Sequence, residues 1–253
     1  MNKLFLTRII SIFSILIATS AHALEQEPTK INIRTLGVTP YGIKQGNNPS
    51  GIYFDIANLV AEKAGYESTN YVYPYARIVN ELKTGQTDMT IMFKYEMLKE
   101  HVIYVAPLPT LKIAVVGQKD ISFTSIADLK GKTLTHLRGA NFSDAITKDS
   151  EILKIMTTDI AQSVRMVLMK RADATIGPLL PIYAAAERVY KDGIENTLGS
   201  PLLIGERTPW LQISKKSVHR LSLGKLRSAF HSMEQKGIFK AIQEKYTPAA
   251  IKD

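Results

Sequence analysis

The order of elements along this chain predicts an α/β protein of two similar lobes, each a mainly parallel sheet flanked by helices. Strand-like and helix-like stretches alternate from residue 31 onward. The alternation starts afresh near residue 111. Asp88-Met-Thr-Ile91 and Asp173-Ala-Thr-Ile176 each follow the end of an amphipathic helix, one in each half. Such an echo is what two copies of one supersecondary unit leave behind.

Residues 31–38 (INIRTLGV) alternate as a half-buried strand does and run into TPYGIKQGNNPSG, a loop dense in Gly, Asn and Pro. Next, Ile56, Leu59, Val60 and Ala64 fall on one helical face, with Asp55 at the N-cap position and Gly65 as the stop. Residues 66–73 read as a strand, Arg77 to Thr84 as a short helix closed by Gly85, and DMTIM as a strand again. The second half repeats the order: LKIAVVG as a strand, SIADLKG as a short helix capped by Ser125, TLTHL as a strand, and Asn141 to Lys148 as a helix. A longer helix follows, with Ile160, Val164, Val167 and Leu168 on one face, and leads into ADATIG. The tail supplies a final strand, WLQISKK, and two helices over residues 217–237 and 238–246. In open α/β sheets ligands bind beyond the carboxyl ends of the strands, so the site is expected between the lobes.

Ahead of the first strand, MNKLFLTRIISIFSILIATSAHA places Lys3 and Arg8 before an apolar run from Ile9 to Ala18 and ends in Ala21-His22-Ala23. This is the pattern of a cleaved secretory signal over residues 1–23. The apolar run falls short of the roughly 20 residues that cross a bilayer, which argues against a membrane anchor. Cysteine is absent, so disulfides, thiolate metal sites, a cysteine nucleophile and a lipidated cysteine are excluded. An exported, unlipidated chain without disulfides points to the periplasm.

The formal charge is +9 and falls by two when Lys3 and Arg8 leave with the leader. A basic surface favours anionic ligands. The lysines are scattered, not gathered into a stripe, and no nucleic-acid partner is expected. The five histidines show no H-E-x-x-H spacing, and the chain holds no G-x-S-x-G elbow and no Gly-rich phosphate loop. No metal, cofactor or catalytic set is therefore expected, and the chain reads as a binding protein acting as a monomer.

The ordered set GIYFDIANLVAEKAG, LKTGQTDMTI, YVAPL, SIADLKGKTLTHLRGANF, KRADATIG and KGIFKAIQEKY resembles the family 3 periplasmic solute-binding proteins, the amino-acid-type receptors of ABC transporters. The resemblance implies a type II periplasmic-binding-protein fold. Residues 24–112 and 207–253 would form lobe 1 and residues 113–206 lobe 2, with crossings near residues 111–116 and 204–213. It also implies hinge closure of the ligand cleft, read by an ABC permease or by a membrane receptor. Some relatives of this fold are enzymes such as cyclohexadienyl dehydratases, a reading for which no cleft residue speaks here.

Two family anchors are missing. The arginine that grips an amino acid's carboxylate would fall at Leu98 or Glu100, and the aspartate that takes its ammonium would fall at Pro178. A buried zwitterion without partners loses its hydration uncompensated, so the expected solute is small and polar or anionic, but not a standard α-amino acid.

Arg77, on the first turn of its helix, is either a solvated side chain or a replacement anchor for an oxyanion. If it is the anchor, Arg77→Ala should weaken binding without lowering the melting temperature. Tyr75 before it, and Tyr41 in the first loop, are either packing residues or aromatic walls of the site. Phe93 and Lys94 follow the DMTI strand and should emerge at the cleft, where Lys94 could act as a point charge. In the second half, Arg138, Gly139, Ala140, Asn141 and Phe142 join a strand to a helix whose first amides could face an anion. Gly177 and Pro178 would form the opposite wall.

Overall fold

The computed structural model describes residues 28–189 and 197–247; the leader assigned to residues 1–23 lies outside them. Five strands form the first sheet: β1 (Lys30–Leu36), β2 (Glu67–Tyr73), β3 (Met89–Phe93), β4 (Val102–Pro107) and β10 (Pro209–Ser214), in the order β2-β1-β3-β10-β4. The second contains β5 (Leu111–Gly117), β6 (Thr133–Leu137), β7 (Leu153–Thr157), β8 (Ala174–Pro178) and β9 (Leu202–Arg207), in the order β7-β6-β8-β5-β9. In the first sheet β1 is parallel to β2 and β3, and β10 is antiparallel to both β3 and β4, so only β10 points the other way. The second sheet has the same plan with β5 reversed.

The chain leaves the first sheet after Pro107, enters the second at Leu111, and returns between Arg207 and Pro209. Residues 111–116 lie past the crossing, inside β5. The two crossings meet through the Thr110 and Thr208 hydroxyls, 2.8 Å apart.

The repeated Asp-x-Thr-Ile has a physical cause. Asp88 donates its amide to the Asn32 carbonyl at 2.8 Å and accepts the Asn32 amide on Oδ2 at 2.6 Å, closing the start of the β1–β3 pair. Asp173 does the same to Thr133 at the start of β6–β8, with distances of 2.9 and 2.7 Å. Each carboxylate stands in for a ladder carbonyl where the two strands begin. Asp88 goes further, because its Oδ1 also accepts from the Ser217 hydroxyl and from the Arg220 guanidinium, which in turn donates to the Lys30 carbonyl at 2.8 Å. These bonds fasten the tail to the first lobe.

Helix α1 (Ile52–Lys63) buries Ile56 and Val60, with Leu59 partly covered. It starts at Ile52, so Asp55 lies in its first turn and not at the N-cap. Gly51 sets that start: its φ is +128°, and a Cβ there would lie 2.6 Å from the Tyr41 carbonyl oxygen. Asp55 instead accepts from Lys245 and Tyr246 of α7 (Ile238–Tyr246), at 3.0 and 2.8 Å. Helix α2 (Tyr75–Thr84) likewise starts ahead of Arg77, at Tyr75 behind the extended Pro74. Helix α3 (Asp144–Lys148) begins behind Ser143, whose hydroxyl accepts the Ile146 amide, so Asn141 and Phe142 stay in the loop.

Helix α4 (Ile160–Leu168) buries Ile160, Val164 and Val167, and α5 (Leu179–Val189) follows β8 without a break. The tail helix α6 (Leu223–Gln235) is shorter than the span 217–237, because Ser222 caps it.

Ser125 and Asp128 form a reciprocal capping box on a single 3₁₀ turn. The Thr124 amide and hydroxyl and the Ser125 amide all donate to Asp128 Oδ2, holding its carboxyl down at about 2. A carboxyl lowered by folding stabilises the fold above its unfolded value and loses that contribution as pH falls through the folded one. The box should therefore hold at pH values above roughly 4 and weaken as the pH falls toward 2. A carboxyl-carbon NMR titration should place the Asp128 midpoint near 2; a midpoint near 4 would contradict the capping role.

Candidate functional site

The loops that follow β1, β2 and β3 face those that follow β6, β7 and β8, and between them lies a cavity of about 40 Å³. From the first lobe come Tyr41 and Tyr53, stacked with centroids 4.3 Å apart, Tyr75 at the start of α2, Phe93 at the end of β3 and Tyr95 just after it. The second lobe contributes Leu137, Phe142, Ile160 and Pro178, and the strand ends next to the crossings contribute Leu111 of β5 and Pro209 of β10. No side chain in this lining carries a charge. The space is well below the roughly 150 Å³ that accepts a benzene ring, so in this conformation the lobes are shut against each other.

Several contacts among the described residues hold them shut, these three among them. Tyr75 lies flush on Gly139, whose φ is +81°; a Cβ there would come within 3.0 Å of Tyr75 Cδ1. Phe93 meets Phe142 edge to face, with centroids 6.5 Å apart and planes at 89°. Arg188 donates to the Thr39 hydroxyl at 3.3 Å.

The phenols in the wall stay neutral across the physiological range. Burial raises Tyr41, and burial with the neighbouring Tyr41 raises Tyr53. Tyr75 is raised by burial and then by Tyr95 beside it, with Arg207 pulling the other way. The Tyr75 hydroxyl is buried, and the Tyr95 phenol beside it is its one neighbouring partner among the described residues, in a geometry short of a well-formed hydrogen bond.

Of the residues expected at the site, Tyr41, Tyr75, Phe93, Phe142 and Pro178 meet in the lining, Gly139 packs on Tyr75, and Gly177 backs onto Ile160. The three cations of that expectation lie elsewhere. Arg77 is exposed, its Nε donates to Glu81 at 2.8 Å, and its guanidinium sits 3.6 Å from the Tyr73 ring centroid. Glu81 is buried and needs cations: Arg34 donates to it as well, at 3.2 Å. Lys94 is exposed and lies over Trp210, 3.6 Å from the centroid, and over Tyr104. Arg138 is exposed, and its amide donates to the Thr157 carbonyl.

One of the loop amides is also engaged. The Ala140 amide donates to the Leu137 carbonyl at 3.1 Å. Asn141 braces the loop by donating to Asp144 and accepting from Thr147. Leu98, where the family arginine would fall, is fully buried, and Glu100 pairs with Lys215 at 3.8 Å.

Sequence reasoning missed Tyr53 and Arg207. Tyr53 sits within the α1 pattern and reads as a core residue. Arg207 ends β9 at the second crossing, with its Cζ 5.8 Å from the Phe93 centroid and 6.0 Å from that of Tyr95. Its one available signal was an arginine beside a crossing.

Two α/β lobes, two crossings and a cavity beyond the strand carboxyl ends define a bilobal solute-binding fold. The chain belongs to the bacterial extracellular solute-binding proteins, family 3, whose model matches residues 32–249. It is 24% identical to the probable amino-acid-binding protein YxeM of Bacillus subtilis over 226 residues, covering 85% of this chain and 84% of that one. A shorter match, 31% identical over 97 residues and 38% of each chain, is to the arginine-binding extracellular protein ArtP of the same organism. Among solved structures, an ancestral arginine-binding protein bound to arginine superposes with a TM-score of 0.74 at 21% identity, covering 88% of this chain and 100% of that one.

Proposed function

We propose that this protein captures a small polar or anionic solute in the periplasm, closes its lobes around it and delivers it to an ABC importer, and that the solute is not a standard α-amino acid. The cavity lining supports this reading: four tyrosines and apolar side chains surround the space, and no carboxylate lines it to receive an ammonium group. Pro178 stands in the wall where the family's aspartate would fall, and Leu98 is buried where the arginine would be. Enclosing an α-amino acid here would strip two charges of water and return too little.

Trp210, the sole tryptophan, adjoins Pro209 of the lining and so can report closure. Titrating the purified protein with the standard amino acids should leave its fluorescence without a saturable change up to about 1 mM. Mass spectrometry of the protein from its native source should find a co-purified small solute, and adding that solute should contract the particle in small-angle scattering. A low-micromolar response to a standard amino acid would overturn the ligand reading. Steady turnover of prephenate or arogenate would overturn the binding-protein reading itself.

A further inference from the structure

We propose that Arg207 is the anchor for an oxyanion on the solute and that the Tyr75 hydroxyl is its second contact, which makes the solute a small carboxylate with an apolar body and no ammonium group. This rests on the capture reading above and names the chemistry of the same site.

Three arginines among the described residues are half-buried: Arg34, Arg207 and Arg220. Arg34 holds Glu81 and Arg220 holds Asp88, but Arg207 forms no ion pair among the described residues. Asp144, an acid within reach of its field, is exposed and turned to Asn141 and Lys148. A guanidinium withdrawn from water without a counter-ion is destabilising, and in a binding protein the missing partner can come with the ligand. Arg207 adjoins the cavity without lining it in this shut conformation: its register partner Leu111 and nearby Pro209 line the space, and its guanidinium lies beside the lining rings of Phe93 and Tyr95.

One of its donors is used: Nη1 reaches the Asn141 carbonyl oxygen at 2.7 Å, in the second lobe's loop. A guanidinium carries five N–H donors in a planar fork, enough to keep that bond and still grip a carboxylate through two parallel ones. An anion held there would be contacted by a group braced against both lobes, so its binding energy favours their approach, to a state wider than this shut one, whose cavity of about 40 Å³ leaves no room for the solute's body.

Tyr75 supplies an independent sign. Its hydroxyl is buried in the cavity wall, and the phenol of Tyr95 beside it is its one neighbouring partner among the described residues, in a geometry short of a well-formed hydrogen bond. A carboxylate oxygen would accept from it. The remaining walls, Tyr41, Phe93, Tyr95 and Phe142, offer only flat apolar faces to the rest of the solute.

Calorimetric titration with a series of monocarboxylates from butyrate to hexanoate, and with benzoate, phenylacetate and 3-phenylpropionate, tests this. At least one should bind with a Kd below about 1 mM, and the matching alcohol and the matching α-amino acid should bind at least about 10-fold more weakly. For the best carboxylate, Arg207→Ala should weaken binding about 30-fold, Arg207→Lys less, and Tyr75→Phe by about 3- to 10-fold.

Arg207→Gln provides a second variant of similar length, and thermal melts confirm that each variant folds. The anchor is overturned if none of these carboxylates binds, if Arg207→Ala and Arg207→Gln both bind like the parent, or if Arg77→Ala abolishes binding while both Arg207 variants retain it. A co-purified solute that is neutral or cationic also removes the anchor but leaves capture standing. Failure of every solute to close the lobes removes the capture reading.

Discussion

Asp88→Ala should lower the stability by about 3 kcal/mol, at the low end for a broken buried pair because Arg220 keeps 32% of its side chain exposed. Asp88 is completely buried, and its two oxygens take the Asn32 amide, the Ser217 hydroxyl and the Arg220 guanidinium. Alanine leaves the first without its partner at the head of β1 and the last without its counter-ion. The melting temperature should fall by roughly 10 °C, at 2–4 °C per kcal/mol for a chain of this size.

Asp173→Ala is the natural comparison, since that residue makes the same strand-start bonds with Thr133 but holds no arginine. Its loss should cost about 1–3 kcal/mol, the range for an unmet buried donor. Burial works against the Asp173 carboxylate, but the Thr133 hydroxyl and amide outweigh it and hold the group below its ordinary value. Its contribution is therefore present at neutral pH and lost on acidification through that lowered value. Urea unfolding of both variants decides the matter. Equal losses would mean that the Asp88–Arg220 pair adds nothing to the strand-start motif.

The contrast between these two aspartates shows what a sequence can and cannot reveal here. The Asp-x-Thr-Ile echo was legible because it encodes a local bond between the starts of two adjacent strands, repeated in each lobe. Periodic helices were legible for the same reason: the buried faces of α1 and α4 fall where the spacing of Ile56 and Val60, and of Ile160, Val164 and Val167, places them. Strands β4, β7 and β9 and helix α5 were not picked out. The burial of β7 and β9 is partial and irregular, and α5 follows β8 with no turn to announce it.

At the site, the aromatic walls were legible because Tyr41, Tyr75 and Phe93 stand beside strand ends. The cations were not, because a charge's meaning depends on its neighbours. The sequence leaves Arg77 as either a solvated side chain or an anchor, because it cannot show that Glu81, one helical turn on, is buried and paired with it. Arg207 drew no attention in the sequence, because its lack of a counter-ion among the described residues shows only beside the pairing of Arg34 and Arg220. Such comparisons need the third dimension.

Gly139→Ala should separate folding from closure. The φ of +81° at this position penalises any residue with a Cβ by roughly 1–2 kcal/mol, in the open and closed states alike, and so acts on the melting temperature. The contact with Tyr75 acts only when the lobes meet. A methyl placed 3.0 Å from Tyr75 Cδ1 forces the ring or the loop to shift, and overpacking of this kind costs about 1–3 kcal/mol. If the solute is held between the lobes as proposed and the Tyr75–Gly139 contact persists in that state, the second cost appears as an affinity loss of about 5- to 150-fold.

Gly139→Asn distinguishes the two effects. Asparagine tolerates the left-handed region far better than alanine but still carries a Cβ. It should recover much of the lost melting temperature and none of the lost affinity. If the two variants instead bind the solute as tightly as the parent, Tyr75 and Gly139 do not meet in the bound state, and closure must rest on Phe93 with Phe142 and on Arg188 with Thr39.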